Sequence, residues 1–109
     1  MEEDIRHTPI TLRKQFLSCN ILECEVGTNT PQGGDAGHGG RTIFTLRDLG
    51  STGWELEVKD RNGKEFEIEP EEITIKLFGD TEAYTFIDAL KFAYKTLAFQ
   101  QESEVIKEW

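Results

Sequence analysis

The apolar residues of this chain keep one spacing up to Phe78 and another after it. Before that point they recur every second residue. Leu22, Cys24 and Val26 alternate with Glu23 and Glu25, and Trp54, Leu56 and Val58 with Glu55 and Glu57. Phe66 and Ile68 alternate with Glu65 and Glu67, and Ile73, Ile75 and Leu77 with Thr74 and Lys76. A period of two is the signature of a strand with one face buried. After Gly79 the stripe Ala83, Phe86, Ile87, Leu90, Ala93, Tyr94, Leu97, Ala98 follows the 3.6-residue period of an amphipathic helix. Strands followed by one helix define an α+β chain: an antiparallel β-meander of about five to six strands, with a single C-terminal helix packed on one face.

The local signals fill in this frame. Ile10 to Leu17 reads as an edge strand, and Arg41 to Leu49 as a strand apolar on both sides. Asp60-Arg61-Asn62-Gly63 contains Asn-Gly, which favours a type I′ hairpin. Pro70 breaks the ladder. Asp80 or Thr81 suits the helix N-cap, Glu82 sits where the helix dipole favours an anion, and the helix is predicted over 80–101. Trp54, Leu56, Val58, Phe66, Ile68, Ile73, Ile75 and Leu77 are expected against that helix, with the glutamates between them in solvent. A length of 109 residues fits one domain spanning 1–109, with 1–8 polar and flexible. The tail from Ser103 to Trp109 could be a further helical turn or dock on a neighbour.

Six of the ten glycines fall between Gly27 and Gly40, in GTNTPQGGDAGHGG, followed at once by Arg41-Thr42. Glycine tolerates positive φ and lets backbone N–H groups approach a ligand closely. The 27–40 stretch is therefore the candidate ligand loop. N–H groups from Gly33, Gly34, Gly37, Gly39 and Gly40 could form an anion nest. Arg41 would add a planar fork for phosphate or carboxylate. Thr42 offers a hydroxyl, Asp35 an acceptor, and His38 a donor or a stacking surface; Asn29 and Gln32 are secondary candidates. The loop lacks the Gly-Lys-Ser/Thr ending of a P-loop and lies between strands, so no helix dipole is expected at it. Alternatively the loop only crosses a sheet end, with Arg41 paired to Glu23 or Glu25.

The charge narrows the function classes. Twenty-one acidic and 12 basic residues give a formal net charge of −9. That opposes binding to long nucleic acid or to an anionic membrane surface. No segment approaches a transmembrane span, and the acidic start Met1-Glu2-Glu3-Asp4 has no leader-like apolar run. Cys19 and Cys24 are an odd number of residues apart, on opposite faces if one strand holds both, so mutual pairing is not expected. These features point to a cytoplasmic protein with reduced thiols. No nucleophile has a base beside it in the sequence, so enzymatic catalysis is not expected, and no cofactor or resident metal is implied. Asp35 and His38 alone do not make a metal site, although a metal-assisted phosphodiesterase would use them. The run of carboxylates Glu55, Glu57, Glu65, Glu67, Glu69, Glu71 and Glu72 suggests a further option, an acidic module that binds a basic protein or imitates nucleic acid.

Val26-Gly27-Thr28-Asn29, Gly33-Gly34-Asp35-Ala36-Gly37-His38-Gly39-Gly40-Arg41-Thr42 and Asp48-Leu49-Gly50-Ser51-Thr52 resemble a pattern in small bacteriophage and prophage proteins. In size, in strand-then-helix order and in acidity the chain is also similar to phage anti-defence sponge proteins. Those sequester the cyclic nucleotide or cyclic ADP-ribose signals of Thoeris and CBASS immunity without cleaving them. The resemblance implies a homo-oligomer in a host cytoplasm, with a nucleotide-derived anion as ligand and pockets near subunit contacts.

Overall fold

The computed structural model describes residues 9–33 and 39–102. Six strands and one helix follow in the order β1 (Leu12–Leu17), β2 (Ile21–Thr28), β3 (Arg41–Gly50), β4 (Leu56–Lys59), β5 (Glu65–Ile68), β6 (Glu72–Phe78) and α1 (Asp80–Glu102). The fold is α+β, with every strand pairing antiparallel.

The meander is interrupted. β1, β2, β3 and β6 form one four-stranded sheet in that order, while β4 and β5 pair only with each other as a separate two-stranded ribbon. The ribbon is thus an insertion between two neighbouring strands of the main sheet. Its root is held where the Trp54 indole N–H donates to the Pro70 carbonyl at 2.7 Å. Its tip is a turn in which Gly63 N donates to the Asp60 carbonyl at 3.0 Å and only Gly63 takes positive φ (88°). The predicted type I′ turn would need positive φ at Asn62 as well. Instead the Asp60 carboxylate accepts from the N–H groups of Asn62 and Lys64, both at 2.9 Å, and stabilises a three-residue loop.

Registry sorts the sheet into two chemically opposite faces. Leu12 lies across from Val26, Val26 from Phe44 and Phe44 from Ile75. This face therefore carries Leu12, Phe16, Leu22, Cys24, Val26, Phe44, Leu46, Ile73, Ile75 and Leu77. The other face carries Gln15, Glu23, Glu25, Thr45, Arg47, Glu72 and Thr74. There Arg47 Nη1 meets Glu23 at 2.7 Å and Glu25 at 2.8 Å, while its Nε meets Glu72 at 3.0 Å. The alternative pairing of Arg41 with Glu23 or Glu25 gives way to Arg47, which the register places beside both.

Helix α1 packs on β3 and β6, on the apolar face. Phe86 meets Phe44 edge to face, centroids 5.5 Å apart, and Ala83 is fully buried. The ribbon residues expected under the helix are not there: Val58, Phe66 and Ile68 stay open to solvent. The reason is topological, because the ribbon shares no ladder with the sheet that the helix covers.

Candidate functional site

The candidate loop joins β2 to β3, and its two ends are tied by side chains that the sequence suggested for ligand contact. Asn29 is the clasp. Its Oδ1 accepts from Arg41 N at 2.7 Å, its Nδ2 donates to the Gly39 carbonyl at 3.2 Å, and its N–H donates to the Arg41 carbonyl at 3.1 Å. The Gln32 side chain folds back to donate to the Asn29 carbonyl. Gly33 and Gly39 both take positive φ, 81° and 89°, which a side chain would oppose.

A residue outside the predicted set holds the loop to the helix. The Asp80 carboxylate accepts from Gln32 N, 3.0 Å to each oxygen, and from Gly33 N at 2.8 Å. Asp80 is the first helical residue, one position past the true cap, Gly79. Gly79 takes φ 118°, and its carbonyl accepts from Ala83 N at 3.3 Å while its N–H donates to the Gly40 carbonyl at 2.9 Å. Gly40 is fixed by this crossing: a Cβ there would stand 2.8 Å from Asp80 Oδ1 and 3.2 Å from the Gly79 backbone. The β3–β6 pairing therefore carries the helix N-terminus to the foot of the loop. The sequence, in which they are some forty residues apart, suggested no dipole there. The positive end of α1 does adjoin the loop, with the Asp80 carboxylate already set in it.

Arg41 and Thr42 were expected to converge on one ligand. As consecutive strand residues they point to opposite faces. Arg41 lies on the polar face, its guanidinium 4.9 Å from the Phe78 ring centroid and its Nη1 donating to the Gly40 carbonyl at 2.8 Å. Thr42 lies buried on the apolar face, its hydroxyl 2.8 Å from that of Thr28, which is 2.9 Å from that of Thr30. Gly34, Asp35, Gly37 and His38 lie outside the described residues. Among the described residues no group of three histidine, cysteine or acidic side chains could hold a metal ion.

Two other polar centres have shifted carboxyls. The Glu23 carboxyl is held below its ordinary range chiefly by the Gln15 side chain (Nε2 at 3.2 Å) and then by Arg47, and that of Glu25 chiefly by the Thr11 hydroxyl and then by Arg47. Asp48 is lowered by the N–H groups of Thr52 and Gly50, at 3.1 and 2.9 Å, which fold the β3 end into a tight turn. Beside this turn lies an open concavity of about 580 Å³ lined by Asp48, Trp54, Glu55, Glu69 and Glu71 among others. Burial pushes the Cys24 thiol up, and both Cys19 and Cys24 are free. No helix among the described residues is long and apolar enough to cross a membrane. Comparison with protein-family models, with curated proteins and with solved structures finds no match.

Proposed function

We propose that this chain binds a small nucleotide-derived anion at its 33–42 loop and sequesters it without cleavage, as the phage anti-defence sponges that it resembles do. The supporting observation is the way the loop is tied. Asn29, Asp80 and Gly79 fix both of its ends, so the ordering cost of the stem is met before a ligand arrives. Arg41 stands on that stem with its guanidinium oriented by Phe78 and the Gly40 carbonyl. In this reading Arg41 takes a phosphate, N–H groups from Gly34, Gly37, Gly39 and Gly40 add donors, His38 contacts base or ribose, and Asp35 accepts from a hydroxyl. Gln32 and Asn29 serve as loop ties rather than ligand contacts, and Thr42, facing the other way, belongs to the hydroxyl chain.

The test is a thermal-shift panel of cyclic mono-, di- and trinucleotides, ADP-ribose and its cyclic isomers, with each ligand recovered and analysed after binding. The expected result is a Tm rise with one ligand class, the ligand recovered intact, and loss of the rise in a folded Arg41→Ala variant. Undiminished affinity in that variant, or conversion of the ligand, overturns the proposal.

One observation favours a second reading. On the ribbon Glu57 lies directly across from Glu67, an opposition of like charges that costs stability. An acidic ribbon retained at that cost suits a basic protein partner. Such binding falls steeply with salt and ignores changes at Arg41.

A further inference from the structure

The sheet is wider than its own helix. Four strands at about 4.8 Å spacing span roughly 19 Å, whereas one helix with its side chains covers about 10 Å. α1 covers β3 and β6. The β1–β2 half of the same apolar face stays open, with Leu12 77%, Phe16 49% and Val26 40% exposed.

The helix is also longer than its seat. Ala83, Ile87, Leu90, Tyr94 and Leu97 are spaced four, three, four and three, a heptad seam of the kind by which helices pair. Ala83 at its start is fully buried, while Tyr94 and Leu97 toward its end are 73% and 65% exposed. Among the described residues two apolar surfaces are thus left unmet, half a sheet face and half a helix seam. The radius of gyration, 16.5 Å, exceeds the roughly 13 Å of a compact chain of this length. No large side chain among the described residues is fully buried.

We propose that a second copy of this chain supplies the missing cover, the seam of its α1 lying over Leu12, Phe16 and Val26 beside this chain's α1, with the arrangement repeated by two-fold symmetry. Each copy offers one open half-face and one open half-seam, so a pair closes with neither left over. Leu12, Phe16, Val26, Ile87, Leu90, Tyr94 and Leu97 are between 37% and 77% exposed, an average of roughly 100 Å² each, and together offer roughly 700 Å² per copy. A stable interface needs about 800 Å² per partner. Like charge is kept off the sheet side of the contact, because the open half-face holds one charged side chain, Lys14, while the carboxylates of β2 and β6 point to the other face. The proposal is independent of the ligand reading and is tested with the protein alone.

Light scattering on the eluting protein at tens of micromolar is expected to give twice the 12.4 kDa chain mass. Leu97→Glu and Leu12→Lys, both at sites open in the single copy, are each expected to give the single-chain mass with the helix signal in circular dichroism retained. Mixing these two variants should restore the doubled mass, since one of the two contacts is then wild-type and the other pairs Glu with Lys. A single-chain mass for the wild type, a mass above two chains, doubled mass in both single variants, or no recovery on mixing overturns the proposal. So does dissociation by Phe66→Glu, which would place the interface on the ribbon.

Discussion

The two faces of the four-stranded sheet solve their chemistry differently. On the polar face the carboxylates find a partner within the sheet: Glu23, Glu25 and Glu72 converge on Arg47, and Thr45 meets Thr74 at 3.0 Å. On the apolar face only the β3–β6 half is covered. Short-range directional bonds can be completed by neighbouring strands, whereas apolar area has to be removed from water by a whole element. A chain with one helix has enough for half a face. The contrast explains how one face of the sheet can satisfy its carboxylates while the other is left half covered.

Three perturbations sharpen this contrast. The largest effect is expected where the covered half meets the helix. Phe44→Ala removes the ring that Phe86 packs against and should cost about 3 kcal/mol in chemical denaturation. An effect no larger than that of a surface substitution would mean that α1 is not held by this contact. Next is the tie between loop and helix. Asp80→Asn replaces a charged acceptor of the Gln32 and Gly33 N–H groups and should cost about 1–2 kcal/mol. Hydrogen exchange at those two amides should quicken while exchange in β3 is unchanged. The smallest effect belongs to the polar face and depends on pH. Glu23 and Glu25 have carboxyls lowered from an ordinary value of 4.5, so the folded state binds protons less readily than the unfolded state does. Their contribution is complete above that value and is lost as the pH falls below it. Arg47→Met should therefore flatten the acid limb of the Tm profile, and an unchanged limb would assign acid sensitivity to other carboxylates.

How much of this was legible in the sequence depends on the range of the interaction involved. The period switch after Phe78 located the strands and the helix, because alternation and a 3.6-residue stripe are local properties. The edge position of β1 and the length of α1 followed from the same signals. Pairing is not local. Nothing in the alternation of Trp54 to Ile68 distinguishes a ribbon of its own from two more strands of the sheet, and so those residues were expected under the helix. At the candidate site, composition singled out the loop, but where its residues point depended on register. A one-residue step along β3 sends Arg41 and Thr42 to opposite faces and gives Glu23 and Glu25 to Arg47. Asp80 looked like a helix cap because capping is a local motif. Its actual partners, Gln32 and Gly33, lie some forty-seven residues away and are brought near by the β3–β6 ladder.

The crossing of Gly40 and Gly79 has a consequence for how such a chain can change over time. The incoming arm of the loop is anchored at Gln32 and Gly33, and the outgoing arm at Gly39 and Gly40, to groups that belong to the sheet and the helix. Gly40 is frozen by the backbone that passes it, so this foot of the loop has no room for a side chain. A change at either foot of the loop is therefore felt at once by the β3–β6 ladder and by the first turn of α1, so the loop's anchors and the scaffold can only change together.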